Sequence, residues 1–189
     1  MKSYLLKNSM NFGAMNGASV MIVSLLIYII GIQQNILISL IIYGLNIFFI
    51  VYGTKHLRDR YQNRQITYGK ALGSGTLISL FMSILVAFFI FLFFKFMAPD
   101  ELEKIYAQAE ERLFNQGMSE DQIEMAMQMT RKMTTPFTMA IGTIFSYTFL
   151  GFIFSLITSL FIKKNGESYQ QIMNEIENEI KSEKEGNNE

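Results

Sequence analysis

Residues 71–96 read ALGSGTLISLFMSILVAFFIFLFFKF, and their only charge is Lys95, one place from the end. A helix rises about 1.5 Å per residue, so roughly 20 such residues match the ~30 Å hydrocarbon layer of a bilayer. Three other stretches have the same character: Met10–Ile32, Ile36–Gly53 and Pro136–Ile162. None of the four contains Asp, Glu or His. The predicted fold is all-α, a four-helix transmembrane bundle in an integral membrane protein. The uncharged interiors also remove the buried ionisable groups on which proton relays, ion paths and intramembrane catalysis depend.

Half of the 189 residues are hydrophobic, which predicts one membrane unit over residues 1–164 and an acidic cytoplasmic tail over 165–189. The chain has no cysteine. Disulfides, thiolate nucleophiles, cysteine zinc sites and cysteine-ligated iron–sulfur clusters are thereby excluded. The one histidine, His56, sits among Lys55, Arg58 and Arg60 and reads as an ordinary juxtamembrane residue. No catalytic, cofactor-binding or metal site is predicted. Lys2 and Lys7 precede the first apolar stretch, as in a signal peptide. That stretch is too long for such a segment and ends at Gly31-Ile32-Gln33-Gln34 without a small-residue cleavage site, so it is expected to be a retained span. No lipidation motif is read at either end.

Positive charge accumulates in short cytoplasmic segments. Here it falls at Lys2 and Lys7, at Lys55, Arg58, Arg60, Arg64 and Lys70 between spans two and three, and at Lys163 and Lys164 after span four. The turn Gln33-Gln34-Asn35 is uncharged, and residues 98–135 hold eight acids against Lys104, Arg112, Arg131 and Lys132. Both termini and the central loop are therefore expected in the cytoplasm, and residues 98–135 outside. The central cations serve topology and, at about 1 kcal/mol each, attraction to anionic lipid. Tyr4, Tyr52, Tyr68 and Tyr28 fall near the predicted boundaries, where an amphipathic ring suits the head-group layer.

Membrane helices associate through close backbone contact and side-chain hydrogen bonds. Small residues at four-residue spacing supply that contact: Gly13 and Gly17; Gly69 and Gly73, then Gly75, Ser79, Ser83 and Ala87; Thr138, Gly142 and Ser146, then Gly151, Ser155 and Ser159. Asn11, Asn16 and Asn46 are the polar exceptions, and each needs a partner in lipid. The glycine pairs opening spans one and three stand in similar settings, which fits either a duplicated helical hairpin or the chance likeness of glycine-rich openings common in membrane helices.

The segment between spans three and four is too long for an unstructured connection. It reads as an extracytoplasmic helical hairpin over about 99–133. Pro99 and Asp100 open its first helix, with Leu102, Ile105, Tyr106, Ala109 and Leu113 on one face, and Gly117 stops it. Ser119 and Gln122 have capping-box spacing for the second, which Thr135-Pro136 ends. Its apolar faces must pack on each other, on the bundle mouth, on the membrane surface or on a partner. Met125, Met129 and Met133 share a stripe from which Met127 points away. Thioethers select Cu(I), but without nearby His or Cys the stripe reads as an adaptable apolar contact surface. In the tail, Tyr169, Ile172, Met173, Ile176 and Ile180 keep helical spacing among glutamates, which leaves two readings open: a short protein-contact helix with a frayed end, or plain disorder.

The chain resembles an uncharacterised bacterial membrane-protein family, domain of unknown function 4199, over roughly residues 5–165. The resemblance rests on Tyr68-Gly69 with Gly73, on Gly117-Met118-Ser119-Glu120-Asp121-Gln122-Ile123, on Thr135-Pro136, and on Gly151, Ser155-Leu156-Ile157 and Ile162-Lys163-Lys164. It implies four spans in a bacterial inner membrane and an outer helical insertion, and it supplies no activity.

The expected function is a non-enzymatic structural or protein-interaction role; the alternative is a small transporter, channel or channel accessory subunit. The expected partners are the lipid bilayer and, through the outer hairpin, a second copy or another membrane protein, with no nucleic acid.

Overall fold

The structure, a computed structural model, describes residues 2–32, 35–164, 172–178 and 180. Those residues are helical almost throughout, with one isolated antiparallel bridge between Ile66 and Lys164. Four long apolar helices, α1 (Lys2–Ile30), α2 (Ile36–Tyr61), α3 (Tyr68–Leu92) and α6 (Pro136–Ile162), are each long enough to cross a membrane. Between them lie a π-helical turn at Phe93–Met97 and the hairpin helices α4 (Pro99–Asn115) and α5 (Glu120–Met133). The architecture is an all-α membrane bundle with an appended helical hairpin.

Helix boundaries follow local chemistry. Asn35 caps α2 by accepting from the Ile38 amide at 3.1 Å, one of the donors a helix start leaves unpaired. Pro99 and the acids Asp100 and Glu101 open α4. Gly117, at φ 77°, ends it in the left-handed conformation that glycine adopts without a side-chain clash. The Gln122 side chain accepts from the Ser119 amide at 3.0 Å. Thr135 and Thr138 cap α6 reciprocally, at 3.2 and 2.8 Å. α1 and α2 extend well beyond the apolar runs that mark them in the sequence, because a helix continues into the head-group layer on polar residues.

α3 is the central helix, packed on α1, α2 and α6, and its contact with α6 is the most extensive. The core forms three layers along the bundle. Leu57, Ile66, Ala71 and Ile162 fill the end where the central loop lies. Phe12, Phe49, Ile50 and Ile78 fill the middle, and Val20, Ile38, Ile42, Met82 and Val86 fill the far end.

The hairpin closes on itself. Tyr106, Ile123 and Met127 are buried between α4 and α5 with Leu102, Ala109, Leu113 and Met118 around them. The Tyr106 hydroxyl donates to the Thr134 carbonyl at 2.6 Å, and the Arg131 guanidinium lies over the Tyr106 ring, 4.6 Å from its centroid. On the outer surface of α4, the Glu101 carboxylate accepts from Lys104 at 2.6 Å and holds its ammonium above the ordinary lysine range. Residues 172–178 of the tail are helical, with Ile172, Met173 and Ile176 exposed. Gln33, Gln34, Tyr169 and the tail acids Glu167, Glu179, Glu183, Glu185 and Glu189 lie outside the described residues.

Candidate functional site

The polar residues of the bundle converge on the faces α3 presents to its neighbours. α3 buries Gly75, Ser79 and Ser83 at the four-residue spacing that keeps a single helix face, with Ser74 buried beside them. Ser79 and Ser155 interlock with glycines of the opposite helix. A side chain at Gly75 would strike the Ser155 hydroxyl, and one at Gly151 would strike that of Ser79. Because α3 and α6 run antiparallel, the two Gly-x-x-x-Ser segments pair head to tail, each serine filling the gap left by the other helix's glycine. Backbones brought this close gain the dispersion contacts that lipid cannot supply.

Asn16 of α1 and Asn46 of α2 meet beside this seam. Both are fully buried. The Asn46 carbonyl oxygen accepts from the Asn16 amide at 3.2 Å and from the Ser79 hydroxyl at 3.3 Å. One layer on, the Ser83 and Thr148 hydroxyls lie 3.1 Å apart. All four spans therefore contribute to a continuous neutral polar seam. Five buried side-chain atoms of the bundle have no protein partner among the described residues: Asn16 Oδ1, Asn46 Nδ2, Thr54 Oγ1, Ser74 Oγ and Ser155 Oγ. An unpaired buried polar atom costs about 1–3 kcal/mol, so these are the places where water or a small polar group would gain most.

A second polar group lies toward the loop end. Asn8 donates to the Gly53 carbonyl at 2.9 Å, and its own carbonyl oxygen faces His56 Nδ1 at 2.8 Å. With the Asn8 amide nitrogen committed to Gly53, that oxygen must accept, which places the His56 proton on Nδ1. Phe12 and Tyr61 flank the ring at 5.2 and 6.1 Å. His56 is thus a fixed part of the α1–α2 contact, more than the plain juxtamembrane residue expected. Asn8 falls before the apolar run of the first span, so hydropathy hides it. Its signal is periodicity, because Asn8, Phe12 and Asn16 follow one another at four-residue spacing and all are buried.

Of the other expected contacts, Asn11 is exposed rather than partnered in the core. Gly13 and Gly17 do contact α3, but Gly69, Gly73 and Gly142 have no neighbouring atom within 4 Å of a modest side chain. Thr138, Gly142 and Ser146 face outward. The two glycine pairs therefore play different parts, and α3 packs on α6 far more extensively than α1 does on α2. Neither observation fits equivalent halves of a duplicated hairpin.

The family model for proteins of unknown function DUF4199 matches residues 11–164. The chain belongs to the DUF4199 family. No curated protein and no solved structure matches it. The matched region of this DUF4199 chain takes in nearly all of the bundle, the whole hairpin and the central loop, so the seam and the insertion belong to one family unit. Among the described residues, no group of three or more His, Asp or Glu is placed to hold a metal.

Proposed function

We propose that this protein is a non-enzymatic membrane component whose hairpin engages other membrane proteins, copies of itself included. The observation that carries this reading is the state of the α5 methionines. Met127 is taken up by the hairpin core, yet Met125, Met129 and Met133 remain 75, 66 and 69 % exposed. Flexible thioethers suit an adaptable contact surface. The next helix, α6, turns Thr138, Gly142 and Ser146 outward, the small-residue spacing that admits a neighbouring helix in lipid. A photo-crosslinking amino acid at Met129 should give discrete, recurrent adducts in native membranes; adducts to lipid alone would end this reading.

The same proposal places both termini and the loop between α2 and α3 in the cytoplasm of a bacterial inner membrane. Its support is the gathering of Lys55, Arg58, Arg60, Arg64, Lys163 and Lys164 at one end of the bundle, against the acidic hairpin at the other. Reporter fusions at residues 64 and 117 should report opposite sides.

One observation favours a transport role as the second reading: the unpartnered Asn16 and Asn46 amide atoms at the bundle centre. Against it stand the helix contacts at Gly13, Gly75 and Gly151, which leave no room for even a methyl group between α3 and its neighbours. Solute flux into reconstituted liposomes above that of empty vesicles would favour this second reading.

A further inference from the structure

We infer that the loop end of the bundle carries a built binding pocket for a phosphate group, either an anionic lipid head group or a free phosphorylated solute. The pocket, about 510 Å³, is lined by Arg58, Asp59, Arg60, Arg64 and Lys164. Its walls come from the end of α2, the following loop and the residues just after α6. Asp59 is the one carboxylate among the described lining residues, and it is engaged by Arg58 at 2.8 and 3.3 Å. The Arg64 charge also acts on this carboxylate, so the lining sets four cations against one acid.

Topology alone needs positive charge at this end of the protein, without fixed geometry. Here the geometry is fixed. The loop is sewn to α6 by two backbone hydrogen bonds between Ile66 and Lys164, both 3.0 Å. Ile66 is buried with Leu57, Ala71 and Ile162, so the strand-like pairing cannot slide without exposing it. The Arg64 amide donates back to the Arg58 carbonyl at 3.1 Å, and the Arg58 guanidinium donates to the Ile162 carbonyl at 3.3 Å. The negative end of the α2 dipole explains cations at Arg58 and Arg60. It does not explain Arg64 and Lys164, which lie beyond the helix ends.

Asn63 and Arg64 also hold φ of 49° and 62°, a conformation that is unfavourable for a residue with a side chain and is tolerated best by glycine. A loop that served only as a turn would be easier to build with glycine at residue 64. An arginine held there brings a planar fork of donors to the pocket wall, suited to bidentate recognition of phosphate oxygens. The Tyr4 and Tyr61 rings, stacked at 5.1 Å, mark the head-group level nearby.

The test is lipid binding to the full chain in detergent, followed by native mass spectrometry with phosphatidylglycerol, phosphatidylcholine and inorganic phosphate as probes. Wild type should retain phosphatidylglycerol in preference to phosphatidylcholine. Each cation removed from the pocket should weaken that binding about fivefold, so Arg64→Gly with Lys164→Gln should weaken it about 25-fold. Arg64→Gly is chosen because glycine accepts the left-handed backbone, so thermal unfolding should show the variant still folded. The control Lys7→Gln with Lys132→Gln removes equal charge away from the pocket and should leave binding within about twofold. Displacement of the lipid by millimolar phosphate assigns the pocket to a free phosphorylated ligand; no displacement assigns it to lipid. Equal weakening by the control, or no preference for either phosphate-bearing anion, overturns the pocket.

Discussion

Alanine at Gly13 and at Gly73 should have opposite effects on stability, although both belong to the glycine pairs that open spans one and three in similar sequence settings. Either change improves helix propensity by about 0.5–1 kcal/mol. At Gly73 nothing stands within 4 Å of the added methyl, so the gain is unopposed. At Gly13 the methyl would lie 2.6 Å from Phe81 Cβ and 2.7 Å from the Ile78 carbonyl oxygen. Those atoms belong to the α3 backbone or adjoin it, so no rotamer change relieves the clash and α1 must move away. Overpacking of this kind costs about 1–3 kcal/mol. Moving α1 also loosens Gly17 from Leu85 and pulls Asn16 from Asn46. Gly13→Ala should therefore lose about 1–2 kcal/mol net, while Gly73→Ala should be neutral or gain up to about 1 kcal/mol. Thermal unfolding of a fluorescent fusion in detergent, read by size-exclusion chromatography, orders the two variants against wild type. Equal shifts in both, or a larger loss at Gly73, would refute the assignment of α1–α3 contact to Gly13.

Two further outcomes follow from the hydrogen bonds and the hairpin core. Asn46→Ala removes the shared acceptor of Asn16 and Ser79 and should cost about 1–2 kcal/mol, near the upper range for bonds between membrane helices; a double-mutant cycle with Asn16→Ala should recover about half of it as coupling, and additivity would contradict the pairing. Met127→Ala should loosen the hairpin by about 2 kcal/mol and speed proteolysis between residues 99 and 133, whereas Met129→Ser should leave proteolysis unchanged while reducing the partner crosslinks formed by a probe placed at the neighbouring exposed Met125.

The four spans and the hairpin were legible because each rests on a strong local signal: uninterrupted hydrophobicity for the spans, and Pro99, Gly117, Ser119 and Pro136 as punctuation for the hairpin. Facing was legible only in part. Small residues recur at four-residue spacing along each span, but a helix turns about 100° per residue. The step of five from Ser146 to Gly151 therefore rotates the face by about 140°, and the step of two from Gly73 to Gly75 by about 200°. Those rotations separate the outward residues from the buried ones and mark where the seam begins. The Asn8–His56 bond and the bridge from Ile66 to Lys164 were not legible. Each joins residues far apart in sequence, and the periodicity that marks Asn8 as buried does not name His56 as its partner.

The distribution of polar groups decides how a loss-of-function variant should be read. Inside the bundle, Asn46, Ser79, Ser83 and the interlocked Gly75–Ser155 and Gly151–Ser79 pairs are consumed by helix association. A substitution there removes a contact that holds two spans together, so its effect passes through folding and should travel with a lowered unfolding temperature. Met129 and Arg64 make no comparable demand on the fold: the first is exposed on α5, and the second holds a backbone conformation that glycine would adopt more easily. Loss of activity there at unchanged stability reports a lost contact with something outside the chain. Because α6 starts against the hairpin, where Tyr106 holds Thr134, and ends in the bridge at Lys164, the two surfaces sit at opposite ends of one helix. A variant at one end that alters binding at the other must act through α6 or through the seam it shares with α3, and the unfolding temperature distinguishes these routes.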